Sequence, residues 1–452
     1  MVSPSLLRIM DEKLRKATNI NCFCGGLVVL ALGDAMQIPP IKGYSIYEYM
    51  LGAFDELRDY VLSESNPTIR ADLLYVKTYL NLNSLNCVWL SKQMRTVDAQ
   101  RQHAIQVACN PYEDKPMRLL IEEVLTYPLT ETDMQELRWQ NASVVVCDNT
   151  EKHAINAYKM HIVARNRNVP IIRWKRDIQS VQFYRGSITQ KSTNMNIIDV
   201  AFDQLYDEES ALWEYYVQDS QMMLLYNIQP LGKGLSNGTD GTAHGLFWRD
   251  STQAVNATRD TCAAYAGDTV TVTKPSAFIM ECTREQLRLH SSWHISDTLV
   301  PGRIIIPVTK VITETITLTG QTAARLGVTK VITKHFGCAP TYAITTHKVQ
   351  GETRDSIILD LSNRKKSPPE ASVQYHARQP ARTMCSMLVA CTRVKHSSDM
   401  RYVGVDVEYA LKDIRNLQHE NFARIITVGF MHSDKYQWNI IAAIEFVKVY
   451  LK

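Results

Sequence analysis

The sequence predicts an α/β fold, and three observations support this. Apolar runs at residues 27–32, 342–346 and 356–361 have the character of strands that are buried in a parallel sheet. Segments with a helical period lie between such runs. The 452 residues are 45% hydrophobic and 21% charged, which is ordinary for a globular chain and excludes a disordered one. This length allows two to four domains.

Charge and cysteine content narrow the class of protein further. Fifty basic against 46 acidic residues give a net charge of +4, too small a surplus to demonstrate nucleic-acid binding. The ten cysteines include no C-x-x-C pair, so no zinc site is predicted. No apolar run is long enough to span a bilayer and no signal-peptide pattern precedes one. We expect an intracellular, soluble protein with reduced thiols.

The N-terminal segment predicts a helix followed by a strand. Ser3 and Pro4 suit the cap and first turn of a helix. Residues 9–12, Ile-Met-Asp-Glu, imitate a magnesium-binding strand end, but their apolar positions keep a helical period, so a surface helix is predicted. Residues 27–32 then predict a buried parallel strand that leads into the G-D-x-x-Q-I-P-P string of residues 33–40.

The next segments predict helices and then a second α/β region. Residues 55–138 are mostly helical in period and contain Arg95; an isolated arginine is more often a solvated surface residue. Residues 141–149 predict a strand and residues 151–164 a helix. Strands are also predicted at residues 169–174, 222–227, 269–273 and 303–317.

Residues 232–243 contain a tempting Gly-Lys pair. The phosphate-loop pattern G-x-x-x-x-G-K-[ST] would need glycine at Asn227 and serine or threonine at Gly234, so the pattern fails. Asn237-Gly238 instead predicts a tight hairpin turn.

Residues 338–362 carry the most informative pattern of the chain. Two short strands, at residues 342–346 and 356–361, flank a polar turn with several hydrogen-bond donors and one glycine. Ligands of open α/β sheets bind at such strand ends. His347 taken alone is more often an ordinary loop histidine. Near the C-terminus, residues 387–394 end in Thr392-Arg393, and a further strand is predicted at residues 401–406.

Read together, these strings resemble motifs of the Pif-type (petite integration frequency) DNA helicases of superfamily one. The similar segments are G-D-x-x-Q-[LI]-P-P at 33–40, L-x-x-x-M-R at 90–95, G-L-x-N-G-T-x-G at 234–241, A-I-T-x-H-K-x-Q-G-x-T at 343–353 and A-C-T-R at 390–393. They occur in family order. The resemblance covers residues 1–406 in patches.

The resemblance implies a fold and a division into domains. It implies RecA-like domains of the P-loop NTPase helicase type, the first of them incomplete, with a small β-barrel inserted in the second. The expected segments are residues 1–140 for the first RecA-like domain with a helical extension, 141–225 for the start of the second, 226–335 for the barrel, and 336–452 for the remainder and tail.

The resemblance also implies site residues and ligands. ATP, Mg²⁺ and single-stranded DNA or duplex junctions are the expected ligands. The residues implied as catalytic are Gln37, Arg95 and Arg393. Those implied on the nucleotide side are Gly33, Asp34, Gln37, Gln350, Gly351, Glu352 and Arg393. Those implied on the DNA side are Thr345, His347, Lys348 and, as a weaker candidate, Asn237. No metal ligand is identified.

Two parts of the family pattern are not found. The sequence has neither a phosphate-binding loop nor a strand-borne Asp-Glu pair to hold magnesium. We therefore expect a helicase truncated at its N-terminus, which neither hydrolyses ATP nor unwinds DNA by itself, and whose residues before Pro40 pack less reliably than the second RecA-like domain.

Two alternatives stay open at this stage. Beside the truncated helicase, the first alternative is a non-catalytic remnant that at most binds single-stranded DNA. The second is an incomplete gene model whose missing motifs are encoded immediately upstream. Relatives implied by the resemblance move 5′ to 3′ on DNA in repair, recombination and telomere maintenance. A nuclear location and a monomeric state are expected on the same basis.

Overall fold

The computed structural model describes most of the chain. The described residues are 3–30, 33–34, 38, 45–52, 54–60, 67–80, 94–113, 117–183, 186–189, 203–228, 235–283, 303–318, 320–362, 384–404, 421–433 and 437–451. Gln37, the end of the run at 27–32 and residues 88–93 and 364–369 lie outside them.

Thirteen α-helices lie entirely within the described residues, and residues 203–208 are also helical. They are α1 Pro4–Thr18, α2 Ile46–Gly52, α3 Pro67–Tyr79, α4 Ala99–Ala108, α5 Arg118–Val124, α6 Leu137–Gln140, α7 Asn149–Asn166, α8 Ser251–Ala263, α9 Gln321–Leu326, α10 Thr346–Val349, α11 Met384–Cys391, α12 Asn421–Met431 and α13 Ile440–Tyr450. Short 3-10 turns connect several of them. Among these helices, none combines the length and the apolar character needed to cross a membrane.

Sixteen strands are described, so the predicted α/β class is confirmed. They are β1 Ser143–Val146, β2 Ile171–Lys175, β3 Asp177–Phe183, β4 Gly186–Thr189, β5 Trp213–Tyr216, β6 Gln221–Leu224, β7 Asp240–Phe247, β8 Thr269–Thr271, β9 Ala277–Thr283, β10 Arg303–Val308, β11 Val311–Thr317, β12 Val328–Phe336, β13 Cys338–Pro340, β14 Ala343–Thr345, β15 Ile357–Asp360 and β16 Met400–Val403.

The chain divides into two compact units. Unit 1 contains Met1–Trp139 and Val349–Lys452, and unit 2 contains Gln140–Lys348. The four segments expected from the sequence, bounded at residues 140, 225 and 335, stay a prediction.

Unit 1 is built on a parallel strand pair packed among helices. β15 pairs with β16 in parallel, from Ile357 opposite Met400 to Asp360 opposite Val403. Leu120 and Ile121 of α5 are fully buried. This part of unit 1 is therefore a two-layer α/β arrangement around an apolar core.

The N-terminal helix forms as predicted, but its polar face is not all solvated. The Ser3 hydroxyl caps α1 by accepting from the Leu6 amide. Asp11, predicted to lie on a surface helix, is only 2% exposed. It accepts two hydrogen bonds from Arg15 at 2.8 Å and one from the Cys24 amide at 2.6 Å. Burial works to raise the pKa of Asp11, but these hydrogen bonds hold it below its ordinary value.

The predicted strand at residues 27–32 is wrong over its described part. Residues 27–30 have no regular secondary structure, and Val28 and Leu30 are 101% and 82% exposed. A continuous apolar run forms a buried strand only where flanking strands supply hydrogen bonds and covering faces. No described strand pairs with these four residues. The apolar character of the run was thus insufficient to specify a strand.

Unit 2 contains a second parallel pair, covered by the long helix α7. β1 pairs with β14, with Val146 opposite Thr345. Asn156 of α7 fixes the helix to this pair, since its amide nitrogen donates to the Ala343 carbonyl at 3.0 Å and its amide oxygen accepts from the Ala343 amide at 2.8 Å. Strand β1 and helix α7 follow the sequence prediction.

The rest of unit 2 is rich in β-structure. Its sheets have the strand orders β10-β9-β7-β6-β13, β11-β12-β3-β4 and β5-β2-β8. The runs predicted at 269–273 and 303–317 form strands here, the latter as the two strands β10 and β11. Closure of these strands into a small barrel stays a prediction.

One half-buried carboxylate connects helix α7 to neighbouring strands of unit 2. The Glu314 carboxylate of β11 lies 2.7 Å from Arg176 Nη1, 3.0 Å from Lys152 Nζ and 3.1 Å from His153 Nε2. The Nε2 atom of His335 on β12 lies 3.4 Å away. Burial works to raise the pKa of Glu314, but the His153 hydrogen bond and the neighbouring cations hold it well below its ordinary value.

Replacing Glu314 by glutamine is expected to destabilise unit 2. Arg176 is 6% exposed and would keep a buried charge without its carboxylate partner. Breaking a buried pair by removing one member costs about 3 kcal/mol or more of unfolding free energy. Urea denaturation of Glu314→Gln measures this. Asp260→Asn is the control, because its pair with Arg259 is 48% to 71% exposed; equal midpoints for the two variants would contradict the expectation.

Stability is also expected to fall on mild acidification. Burial lowers the pKa of His335 to about 3 and that of His153 to about 4. An unfolded histidine titrates near 6.5, so between pH 6.5 and about 4 the unfolded state binds more protons and stability decreases as pH falls. At pH 5 the loss is about 2 kcal/mol per histidine. Urea midpoints of wild type and His335→Gln at pH 7 and pH 5 test this, and a pH dependence that His335→Gln leaves unchanged would refute it.

Candidate functional site

The DNA-side residues predicted from two separate motifs meet in unit 2. The Lys348 ammonium donates a hydrogen bond to Asn237 Oδ1, although 111 residues separate them. Asn237 is exposed in the predicted turn, where Gly238 has φ +98° and its amide donates to the Leu224 carbonyl at 2.9 Å. The backbone amide of Asn237 also donates to Asn227 Oδ1 at 2.8 Å. We call Asn237, Thr345, His347 and Lys348 the Lys348 patch.

The end of strand β14 positions the other members of the Lys348 patch. Thr345 is half-buried as the last residue of β14, and the Thr346 hydroxyl donates to the Val146 carbonyl at 3.2 Å, which fixes the start of helix α10. His347 is exposed, although neighbouring protein atoms desolvate its ring enough to lower its pKa. The patch therefore places a cation, an amide, a hydroxyl and an imidazole at the carboxyl end of a parallel strand.

The two arginines implied as catalytic also lie close together, in unit 1. Arg95 Nη1 donates to the Thr392 carbonyl at 3.0 Å, and the next residue, Thr96, donates through its hydroxyl to the Lys395 carbonyl at 2.7 Å. Burial lowers the pKa of Arg95. Burial and the nearby Arg95 charge lower the pKa of Arg393 to about 10, while Asp34 and Glu352 act in the opposite direction. Four residues predicted from four motifs thus interact electrostatically.

Arg393 directs its guanidinium at protein oxygen atoms. It is 3% exposed. Its Nε donates to the Val389 carbonyl at 2.7 Å and its Nη2 to the Thr392 hydroxyl at 2.7 Å. Its Nη1 lies 3.4 Å from the Glu352 carbonyl and 3.5 Å from that of Val349. Arg393 therefore links the end of α11 to the turn that contains Gln350, Gly351 and Glu352.

The turn at Gln350–Glu352 depends on its glycine. Gly351 has φ +89°, a left-handed conformation that other residues adopt only with strain. The Glu352 amide donates to the Val349 carbonyl at 3.1 Å, and its carboxylate accepts from Arg354 Nη2 at 2.6 Å. Gly33 and Asp34 are described but lie in no regular element, and Gln37 is outside the described residues, so its predicted role stays a prediction.

A buried ion pair behind Arg393 was not anticipated from the sequence. Arg101 is fully buried and its Nη1 lies 2.6 Å from Glu123 Oε1. Its Nη2 donates to the Cys391 carbonyl, two residues before Arg393. Only Asp98 gave a local signal, since it caps α4 by accepting from the amides of Gln100 and Arg101. No local signal predicted the pairing of Arg101 with Glu123, which is 22 residues away.

Comparisons with known proteins yield structural neighbours only. No family model matches the chain, and no curated protein matches it. The Pif1 helicase of Candida albicans is 13% identical, with a TM-score of 0.42, over 92% of this chain and 74% of that one. Bacteroides Pif1 bound to single-stranded DNA is 15% identical, with a TM-score of 0.44, over 91% and 72%.

A third neighbour, from a study of forked DNA unwinding by two Pif1 helicases, is 16% identical with a TM-score of 0.46, over 91% and 71% of the two chains. All three TM-scores lie below 0.5. The function proposed below therefore rests on the residues of this chain.

Removing the Arg101 guanidinium is expected to destabilise unit 1. Arg101→Leu leaves the Glu123 carboxylate, 8% exposed, without its cation, which costs about 3 to 5 kcal/mol of unfolding free energy. Urea denaturation measures the loss. Arg118→Leu is the matched control, because the Arg118–Glu122 pair is 49% to 63% exposed and contributes little. An Arg101→Leu midpoint within error of the control would contradict the structural role.

Proposed function

We propose that this chain is a Pif-type DNA helicase by descent and that its 452 residues bind single-stranded DNA through the Lys348 patch. The observation that supports the proposal best is the hydrogen bond between Lys348 and Asn237. Each residue was selected from a different motif, and 111 residues separate the two positions.

The chemistry of the Lys348 patch suits a nucleic-acid backbone. A lysine ammonium is a compact charge with three donors that binds phosphate oxygens without reading sequence. The side-chain amide of Asn237 and the Thr345 hydroxyl each add a donor. The exposed His347 ring offers a surface for a base. We therefore expect binding that depends on salt and is insensitive to sequence.

The resemblance also implies ATP and Mg²⁺, and the residues present fit these ligands poorly. The described residues contain no grouping of three histidine, cysteine or carboxylate side chains placed to hold a metal ion. The Arg393 guanidinium donates to four protein oxygens rather than projecting into open space. No phosphate-binding loop occurs in the sequence. We propose that these 452 residues do not turn over ATP.

Several properties remain proposals at the level of the family. They are movement from 5′ to 3′, roles in repair, recombination and telomere maintenance, a nuclear location and a monomeric state.

The second candidate function is a non-catalytic protein that only binds single-stranded DNA. The enclosed guanidinium of Arg393 favours it, since a phosphate-binding arginine has to present donors to its ligand.

Substitutions in the Lys348 patch test DNA binding. Asn237→Asp keeps the size of the side chain but pairs Lys348 with a carboxylate and repels phosphate, so we expect affinity for a labelled oligothymidylate to fall about tenfold or more. Lys348→Ala is expected to reduce the slope of log K against log salt by about 0.7. Fluorescence anisotropy across a salt series measures both.

Lys330→Ala is the control, since Lys330 is an exposed lysine of the same unit. Equal affinities for all three variants and wild type would refute the DNA site. Phosphate release by purified protein, with and without oligothymidylate, tests the absence of turnover. DNA-stimulated release that Arg393→Ala abolishes would overturn that part of the proposal.

A further inference from the structure

Helix α7 carries an exposed stripe of aromatic and basic side chains. Tyr158, His161 and Arg165 occupy positions i, i+3 and i+7, which share one face of a helix. Tyr158 is 67% exposed and Arg165 is exposed. The His161 ring makes an edge contact with the Tyr215 ring of β5, with the centroids 6.4 Å apart. The stripe therefore contacts strand β5 through His161.

Arg173 of the neighbouring strand β2 extends this stripe. It lies opposite Tyr215 on one side and Thr271 on the other. Its Nε donates to the Thr271 hydroxyl at 3.2 Å, and its guanidinium lies 3.9 Å from the centre of the Trp213 ring. A guanidinium fixed in this way loses little conformational entropy when it binds a planar group of oxygen atoms.

Arg165 is also supported along its length. Its Cγ lies 2.8 Å from where a Cβ would stand on Gly267, which has φ +81°. A glycine at this position allows the arginine stem to lie against the backbone, while its charged end stays exposed. Two arginines are thus held on one face of unit 2.

These cations have no carboxylate partners among the residues that the structure describes. Neither Arg165 nor Arg173 forms a salt bridge there, whereas nearby Lys175 pairs with Asp203 and Lys274 with Asp177. Burial and the charges of Arg165 and Arg173 together lower the pKa of His161. Adjacent like charges repel one another, and a polyanion bound across them would relieve that repulsion.

The stripe is separate from the Lys348 patch. β1 and β14 are parallel and end at the same edge, and α7 begins there with its cap Asp148. At 1.5 Å per residue, Arg165 lies roughly 25 Å along the helix axis from Asp148. The stripe is therefore near the opposite end of α7.

We propose that Tyr158, His161, Arg165 and Arg173 form a second phosphate-recognition site, which binds the backbone of single-stranded nucleic acid with Tyr158 stacking on a base. Phosphate oxygens match the guanidinium groups of Arg165 and Arg173, and aromatic side chains beside cations are the arrangement that binds single strands without sequence preference. The site does not require the Lys348 patch, and free phosphate compounds share its chemistry.

Charge reversal at the stripe tests this site in the full chain. We expect Arg165→Glu to weaken binding of a labelled 20-nucleotide oligothymidylate about tenfold at low salt, and Tyr158→Ala to weaken it about tenfold as well. Arg259→Glu is the matched control, because Arg259 is exposed on α8 and its pair with Asp260 is solvated. Circular dichroism of each variant verifies folding; both stripe side chains are exposed.

The outcomes separate this site from the Lys348 patch. Normal binding by Arg165→Glu with weakened binding by Lys348→Ala overturns the stripe and leaves the proposed function standing. The reverse pattern supports the stripe and refutes the patch. If wild type does not bind the oligonucleotide, calorimetry with inorganic pyrophosphate decides: binding that Arg165→Glu abolishes assigns the site to free phosphate compounds, and no binding overturns it.

Discussion

The enclosed guanidinium of Arg393 is the constraint on which the architecture of unit 1 depends. A cation that is 3% exposed has to be surrounded by oxygen atoms, because moving it into an apolar interior without them costs several kcal/mol. The carbonyls of Val389, Glu352 and Val349 supply those oxygens, so the C-terminal end of α11 and the glycine turn are held together. Arg95 places a second guanidinium just after α11, where it donates to the Thr392 carbonyl. The motif residues are therefore part of the packing of unit 1 as well as candidates for ligand binding.

Unit 2 obtains its geometry from a different interaction, the side-chain clamp of Asn156. One amide group satisfies both the donor and the acceptor of Ala343 on β14, which fixes α7 against the parallel pair. Thr345 and Lys348 follow directly, so their position depends on this clamp. The carboxyl end of β14 is thus fixed by hydrogen bonds to helix α7, which suits a binding patch that has to meet a repeating backbone.

Local patterns predicted much of the fold. The Ser3 cap and the strand and helix around Asn149 follow from signals within a few residues, and the structure has both. What the sequence could not reveal depends on partners that are distant along the chain. Residues 27–30 are apolar enough for a strand but lack a described partner strand. Likewise, no local signal pairs Glu314 with Arg176, 138 residues away.

The candidate site shows the same division. The family resemblance selected Arg95, Arg393, Glu352, Lys348 and Asn237; the structure shows contacts among them, and their roles stay predictions. Arg101, which anchors the end of α11, was missed because an arginine inside a helix looks the same whether it faces solvent or a buried carboxylate.

Helix α7 shows how one element can combine a paired and an unpaired set of charges. Its first turns direct Lys152 and His153 at the Glu314 carboxylate, which also lies 2.7 Å from Arg176 Nη1. Three turns later, His161 and Arg165 lie beside Arg173. Within the described residues, neither arginine forms a salt bridge with a carboxylate. Buried cations need partners to fold, whereas exposed ones can stay unpaired at little cost. The second set is therefore the one that the fold leaves available for an anionic ligand.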